Sequence, residues 1–315
     1  MRLVATPTVC VVLSLFCLDC GGPRNTVTGP SDPPLYSEQE SSSSAFPPAL
    51  GTRALAPPHV FVGAGDIASC ERSAASEATA RLLDGIDGTV FALGDNAYQS
   101  GTAEEFRDCY GPTWGRHKGR TRPVPGNHEY GSSGAAPYFD YFGVNAGPRG
   151  VGYYSFELGN WHAVALNSNI PVTMDSPQGA WLRADLAANR TRCTIAYWHH
   201  PRFSSSKHGD QPQMRDFWQL LYDAGADIVL SAHDHTYERF APQDPDGFPD
   251  ATHGIRQFVA GTGGAAPYGF TGIRPTSEVR ISTLGVLKLT LRADDYDWNF
   301  IPVSGPGDAG TTACH

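Results

Sequence analysis

Residues 60–66, VFVGAGD, and residues 90–95, VFALGD, decide the fold class of this chain. Each begins as a short apolar run of the kind that forms a buried strand, and each ends in Gly-Asp. Between them, residues 73–83, SAASEATARLL, carry alanine and leucine at helical spacing. Strand, helix and strand in this order predict a βαβ unit with two parallel strands.

The remainder of the chain continues this alternation. Residues 153–167 have the pattern of a hairpin that turns at Gly159-Asn160. From residue 256 onward the pattern is that of strands, with strict alternation in residues 287–291, LKLTL. Between these two regions, helices are predicted at residues 180–188 and 214–224. Buried strands are predicted at residues 194–198 and 228–230. Buried strands with helices outside them predict a layered α/β sandwich in one domain.

The composition excludes several classes of protein. Glycine (35) and proline (25) are abundant among the 315 residues, but the glycines have no period of three, which excludes collagen. With 40% hydrophobic and 11% aromatic residues, the chain has enough apolar material for a core, so it is not disordered throughout. The formal net charge of −9 argues against a nucleic-acid-binding surface, which is normally basic.

The amino-terminal residues predict export to the periplasm, the cell surface or the medium. Residues 1–20 contain one arginine followed by the apolar run Val9–Leu18, which is a secretory-signal pattern; the alternative is an amino-terminal strand. Cys20 is a candidate lipid-attachment residue of the bacterial lipoprotein type. Residues 21–57 are rich in proline, serine and glycine and predict a disordered tether. The catalytic domain is therefore expected at residues 58–315.

Four of the seven cysteines lie in the expected domain. An even number in an exported protein suggests two disulfides, and four cysteines allow three pairings. We favour Cys70 with Cys109 and Cys193 with Cys314, since the second pair would tie down the carboxyl-terminal tail. No CxxC spacing occurs in the domain, so a zinc site made of cysteines alone is not expected.

Polar residues of metal-ligating types follow five apolar runs directly or after a short extension. In open α/β sheets, ligands bind beyond the carboxyl ends of the strands, and a glycine there lets the backbone approach a bound group closely. Each cluster is a weak signal alone, because Gly-Asp turns and His-x-His pairs are common. Together they predict one metal-binding site, made of Gly65-Asp66, Gly94–Tyr98, Gly126–Glu129, Trp198–Pro201 and Ser231–His235.

These clusters resemble motifs of the calcineurin-like metallophosphoesterase superfamily and, more narrowly, of its purple acid phosphatase branch. The matching motifs are GDxxY at residues 94–98, GNHE at 126–129, HxP at 199–201 and, with small departures, GHxHAYER up to Arg239. The superfamily's usual Asp-x-His is missing, because Ala68 stands two residues after Asp66, and Tyr98 supplies the replacement ligand. The resemblance covers residues 58–300 and implies a four-layer α/β/β/α sandwich with mixed sheets.

The resemblance also implies two metal sites that share one carboxylate. The first metal ion would be held by Asp66, Asp95, Tyr98 and His235. The second would be held by Asp95, Asn127, His199 and His233. A phenolate with carboxylates and one imidazole suits Fe(III), whereas an amide with two imidazoles suits a divalent ion such as Zn, Mn or Fe(II).

The activity that the resemblance implies is hydrolysis of phosphate monoesters by a metal-activated hydroxide at a binuclear centre. His128 is not a ligand in the family pattern and is the candidate acid for the leaving group; the alternative is a histidine that only hydrogen-bonds Asp66 or Asp95. His208 is a second candidate catalytic residue that would face the substrate; the alternative is an exposed loop histidine.

Two other functions stay open at this stage. The motifs specify the metal ligands and not the leaving group, so the first alternative is a phosphodiesterase or nucleotidase on the same scaffold. The second is a non-catalytic surface metal-binding protein, which would be expected to have lost ligands. The expected partners are small phosphorylated substrates.

Overall fold

The computed structural model describes residues 57–315. The predicted secretory segment, Cys20 and residues 21–56 of the predicted tether lie outside the described residues. Among the helices in the described part of the chain, none has the length and apolar character needed to cross a membrane.

Residues 57–315 form fifteen strands and five α-helices. The strands β1 to β15 are, in chain order, His59–Ala64, Ala68–Ser69, Thr89–Leu93, Ala97–Tyr98, Thr121–Val124, Tyr154–Leu158, Trp161–Ala165, Cys193–Tyr197, Ile228–Ser231, Tyr237–Phe240, Arg256–Ala260, Ser277–Ile281, Gly285–Leu291, Asp295–Pro302 and Asp308–Ala313. The helices α1 to α5 are Ser73–Asp84, Ala103–Glu105, Ala136–Phe142, Pro177–Ala188 and Arg215–Asp223.

The predicted local elements are present. β1, α1 and β3 form the βαβ unit, with β1 and β3 parallel, and β6 and β7 form the hairpin. Helix α4 begins three residues before its predicted start. Its first turn is stabilised by the side chain of Ser176, which accepts a hydrogen bond from the backbone N–H of Gly179, and by Pro177, whose fixed φ suits this position.

The strands form two large mixed sheets and a two-residue ladder between β2 and β4. In the six-stranded sheet the order is β15-β14-β13-β1-β3-β5, with β1, β3 and β5 parallel. In the seven-stranded sheet the order is β12-β10-β11-β9-β8-β7-β6, with β11, β9, β8 and β7 parallel. Each sheet therefore contains a set of adjacent parallel strands, which end at a common edge of the sheet.

The two sheets pack face to face and are covered by helices on their outer sides. Phe61 of β1 contacts Tyr197 of β8 with ring centroids 5.6 Å apart, and both belong to a core cluster drawn from the two sheets. Helices α1 and α3 pack on the outer face of the first sheet, and α4 and α5 pack on that of the second. This arrangement confirms the predicted α/β/β/α sandwich.

Two disulfides join the cysteines of the domain as favoured from the sequence. Cys70 pairs with Cys109, and Cys193 pairs with Cys314. The second bond connects β8, at the centre of one sheet, to the residue after β15, the last strand of the other sheet. It therefore crosslinks the two sheets at the end of the chain.

Replacing Cys193 and Cys314 together by serine should lower the free energy of unfolding by about 2–4 kcal/mol, because the unfolded chain loses a crosslink. The matched variant replaces Cys70 and Cys109. Its free energy of unfolding should fall by about 1 kcal/mol less than that of the first variant, because this bond closes a loop of 39 rather than 121 residues. Urea denaturation of the oxidised proteins measures both values, and an unchanged midpoint for the first variant would contradict the prediction.

Candidate metal centre

The five predicted clusters come together at the edge where the parallel strands of both sheets end. Asp66, Asp95 and Asn127 follow β1, β3 and β5 of the first sheet, while His199 and His233 follow β8 and β9 of the second. Backbone hydrogen bonds join neighbouring clusters. The N–H of Asp66 donates to the carbonyl of Gly94 at 3.0 Å, and that of Ala232 donates to the carbonyl of His199 at 2.9 Å.

One half of the centre is a group of oxygen donors with a single imidazole. The hydroxyl of Tyr98 lies 2.7 Å from Oδ1 of Asp66 and 3.2 Å from Oδ2 of Asp95. It also lies 3.4 Å from Nε2 of His235. The two carboxylates and Tyr98 are buried. Because the Tyr98 hydroxyl is within 3.4 Å of the other three side chains, all four residues predicted for the first metal ion lie within reach of one position.

The other half is richer in nitrogen. Nε2 of His199 lies 3.1 Å from Oδ1 of Asn127, 3.2 Å from Nδ1 of His233 and 3.3 Å from Oδ2 of Asp95. The four residues predicted for the second metal ion are thus also adjacent. Because Asp95 contacts both groups, its carboxylate is the one shared between them.

The backbone is held in an uncommon conformation at three of these residues. Asp66, Asp95 and His233 have φ values of 58°, 49° and 69°, in the left-handed region that non-glycine residues seldom occupy. Such positions cost about 1–3 kcal/mol each and persist where the surrounding structure enforces them, commonly at functional sites. Each of these three residues lies two positions after the end of its strand, where the left-handed backbone changes the chain direction beside the centre.

At two positions of the motifs, neighbouring side chains approach the backbone so closely that only glycine fits, as the sequence predicts. A Cβ atom on Gly126 would lie 2.1 Å from Oδ1 of Asp95, and one on Gly94 would lie 2.7 Å from Nδ1 of His199. Both distances are shorter than a van der Waals contact. Any larger residue would therefore displace a predicted metal ligand.

Glu129, the last residue of the GNHE motif, has no role predicted from the sequence. Its carboxylate is fully buried and accepts hydrogen bonds from the backbone N–H groups of Asn96, Ala97 and Gly126, at 2.8, 3.1 and 2.7 Å. Glu129 therefore ties the loop after β3 to the loop after β5. Burial and the charge of Asp95 raise the pKa of Glu129.

The charge distribution of the centre fits bound cations. Burial and the charges of Asp66 and Asp95 raise the pKa of Tyr98 well above its ordinary value, so a phenolate at this position requires a compensating positive charge. Burial lowers the pKa of His199, but the neighbouring Asp95 more than offsets this and raises it to about 9. Clustered carboxylate, phenol and imidazole groups are a suitable donor set for metal ions.

His128 lies at the rim of the centre. Its side chain is 30% exposed, its Nδ1 lies 2.7 Å from the carbonyl oxygen of Gln99, and its Nε2 lies 3.7 Å from Oδ2 of Asp95. The ring also packs against Tyr98, with centroids 4.4 Å apart. The contact with Gln99 leaves Nε2 as the nitrogen that faces the centre.

His208 and His200 flank the ligand His233. The exposed His208 has its ring centroid 4.3 Å from that of His233, and the half-buried His200 has its centroid 4.5 Å from it. Nδ1 of His200 lies 2.8 Å from the hydroxyl of Ser168, in the loop after β7. The end of β7 is thus a sixth strand end at the site. It was not predicted from the sequence, because residues 167–169, Asn-Ser-Asn, have the composition of an ordinary loop.

Comparison with known proteins agrees with this geometry. The family model for calcineurin-like phosphoesterases matches residues 57–237, which is more than half of the chain. Purple acid phosphatase 21 of Arabidopsis thaliana is 32% identical over 206 residues, covering 59% of this chain and 46% of that protein. Human acid phosphatase type 7 is 29% identical over 144 residues, covering 38% and 32%, respectively. The chain thus spans less than half the length of these curated relatives.

Solved structures share the fold. A purple acid phosphatase from yellow lupin (Lupinus luteus) seeds superposes with a TM-score of 0.68 at 19% identity, covering 81% of this chain and 54% of that one. GAP50, the anchor in the inner membrane complex of Plasmodium, superposes with a TM-score of 0.62 at 16% identity, covering 82% and 89%. At these identities the superpositions show a shared fold, which does not by itself imply a shared function. The chain belongs to the calcineurin-like phosphoesterase family, and purple acid phosphatases are among its relatives.

Proposed function

We propose that this protein hydrolyses phosphate monoesters at a binuclear metal centre. The observation that carries the proposal is the convergence of seven donor residues around the shared carboxylate of Asp95: Asp66, Asp95, Tyr98, Asn127, His199, His233 and His235. Five of the seven follow strands of the two sheets, whereas Tyr98 ends the short strand β4 and His235 precedes β10. The family to which the chain belongs implies such a centre.

Asp66, Asp95, Tyr98 and His235 would hold the first metal ion, with Fe(III) favoured by the two carboxylates and the phenol. Asp95, Asn127, His199 and His233 would hold the second, which is expected to be Zn, Mn or Fe(II). When bound, the pair supplies positive charge for the phosphate oxygens and lowers the pKa of water, so that a nucleophile is available near neutral pH.

The residues around the centre fix the orientation of the histidine ligands. Nδ1 of His199 lies 2.8 Å from the carbonyl oxygen of Leu93, and Nδ1 of His235 lies 3.0 Å from that of Ala266. In each ring Nδ1 donates to this carbonyl, which leaves Nε2 free to bind a metal ion. Such outer contacts set the tautomer and the direction of the imidazole.

His128 is proposed to protonate the leaving-group oxygen. Its Nδ1 is held by the carbonyl oxygen of Gln99, so Nε2 is directed toward the space next to Asp95. His208 is proposed to contact the phosphate group, because its exposed ring lies beside His233. Both residues lie outside the proposed ligand set, and they are free to act on a substrate.

Small phosphorylated molecules are the proposed substrates, and an exported location is proposed for the protein. Two disulfides support the location, because such bonds persist in oxidising compartments. Division of the chain into a secretory segment, a tether and a catalytic domain at residues 58–315 is part of the same proposal. Comparing a phosphate monoester with a diester on one preparation distinguishes a phosphatase from a phosphodiesterase.

Asp95→Asn and His199→Ala should each lower bound metal and reduce turnover of p-nitrophenyl phosphate by at least about a hundredfold. Loss of a contact outside the ligand set can already cost 10–100-fold, and these two residues would bind the metal directly. Elemental analysis and initial rates measure the two effects. The control is His253→Ala, an exposed histidine outside the centre, which should match the wild type. Wild-type metal content and rate in either variant would falsify the proposed centre.

Tyr98→Phe should remove a visible absorption band from the oxidised protein. If the phenolate binds Fe(III), the wild type is coloured by charge transfer between the two, and phenylalanine lacks the oxygen atom. Absorption spectroscopy before and after reduction measures the band, with Tyr222→Phe, whose hydroxyl contacts the distant Asp250, as the control. A colourless but active wild type would contradict Fe(III) in the first site.

His128→Asn should lower kcat by about 10²–10⁴-fold for an alkyl ester such as glycerol 2-phosphate, because its leaving group requires a proton. The loss should be much smaller for p-nitrophenyl phosphate, whose leaving group is stable as an anion. Steady-state kinetics on both substrates give the ratio, and metal content provides the control for site integrity. Equal losses for the two esters would show that His128 has another role.

A further inference from the structure

Asp234 is a buried carboxylate that the proposed mechanism does not use. It lies between the predicted ligands His233 and His235, at the position that the HxH motif leaves free, and it has no exposed surface. Oδ1 accepts hydrogen bonds from the backbone N–H of His208 at 2.9 Å and from the hydroxyl of Tyr268 at 3.3 Å. Oδ2 accepts one from the hydroxyl of the buried Ser204.

These three donors belong to two loops, residues 202–210 and 266–274, which we call the site wall. The loops are joined to each other, since the backbone N–H of Thr271 donates to the carbonyl of Ser205 and its hydroxyl donates to the carbonyl of Ser206, both at 3.0 Å. The hydroxyl of Tyr268 shares its one proton between Asp234 and the carbonyl oxygen of His233, which lies 3.0 Å away. The wall is thereby attached to the segment that carries both ligand histidines.

The wall borders the metal centre directly. The ring of His208 lies 4.3 Å from that of His233, and the ring of Tyr268 lies 4.7 Å from that of His235, both between centroids. The amino group of Lys207 lies 5.4 Å from the centre of the Tyr268 ring. A substrate bound at the two metal sites would therefore meet the wall on this side.

The contacts of Asp234 are costly to lose. All three donors are neutral, and the buried carboxyl group depends on these hydrogen bonds to satisfy its oxygen atoms. A buried polar group left without its partner costs more than the hydrogen bond contributes when made. The conformation with the wall in place is therefore strongly favoured over one in which the loops move away from Asp234.

We propose that Asp234 is a positioning residue that holds the site wall against the metal centre and so determines how tightly the phosphate group is bound. This inference rests on the proposed function and extends it. Asp234 acts through His208 and Tyr268 rather than by touching the substrate or a metal ion. Its removal should therefore loosen the wall and weaken phosphate binding while both metal ions are retained.

The test compares Asp234→Ala with Asp227→Asn in the full-length protein. Asp227 is the matched control, because it is also a buried carboxylate that accepts backbone hydrogen bonds, from Thr194 and His315, but it does not contact the wall. Three quantities are measured: metal content, affinity for inorganic phosphate by calorimetry, and KM and kcat for p-nitrophenyl phosphate.

For Asp234→Ala we expect two metal ions per chain, with phosphate affinity lowered and KM raised about tenfold to a hundredfold, because small misplacements of substrate-positioning groups have effects of this size. kcat should fall much less than KM rises. Backbone amides of residues 202–210 and 266–274 should exchange faster with deuterium. Asp227→Asn should lower stability and leave these site quantities unchanged.

Asp234→Asn and Tyr268→Phe keep the proposal testable if the alanine variant does not fold. Asparagine retains one oxygen for His208 and Tyr268 but cannot accept from Ser204 with its NH₂ group, so its effect should be smaller than that of alanine. Phenylalanine removes only the hydroxyl of Tyr268 and should change phosphate affinity in the same direction.

Wild-type phosphate affinity and exchange in the folded Asp234 variants would overturn the inference, as would loss of metal, which would place the effect on the ligands instead. Failure of the proposed function is a separate result. In that case the wild type itself, with its metals bound, would neither bind phosphate nor hydrolyse the ester.

Discussion

The shared carboxylate of Asp95 is the contact on which the rest of the centre depends. Oδ1 accepts a hydrogen bond from the backbone N–H of His128 at 2.9 Å, while Oδ2 lies within 3.3 Å of Tyr98 and His199. These partners come from both sheets, so the centre is complete only when the sheets are packed together. A buried carboxylate in this position also creates the demand for positive charge that two metal ions would meet.

The geometry of the centre consequently depends on the hydrophobic core between the two sheets. Phe61 and Tyr197 pack between the sheets, and the strands that carry them end two residues before Asp66 and His199, respectively. Dense packing of these strands holds the ligand side chains at fixed separations, and it also sustains the left-handed backbone at Asp95 and its neighbours. The stability of the sandwich offsets the cost of bringing carboxylates together.

Much of this was accessible from the chain alone because strand ends are local features. Apolar runs followed by Gly-Asp or His-x-His predicted both the strands and the ligand types, and close approach explains why Gly126 lacks a side chain. Both disulfide pairings were also predicted. The roles of Glu129 and Asp234 were not. Glu129 accepts from Asn96 and Ala97, which lie 33 and 32 residues away in sequence, and the partners of Asp234 lie 26 to 34 residues away. Hydrogen bonds between groups that are distant in sequence leave no pattern in residue types.

The sequence by itself determined the βαβ unit and the α/β class, the family and the set of candidate ligands, since these depend on periodicity and on short motifs. Only the tertiary structure decided which donors are adjacent, that Asp95 contacts both halves of the centre, and that Asp234 attaches two loops beside it. The physical reason is that a side chain's neighbours depend on how the two sheets are registered and packed. That register arises from the whole core, and no single segment of the chain specifies it.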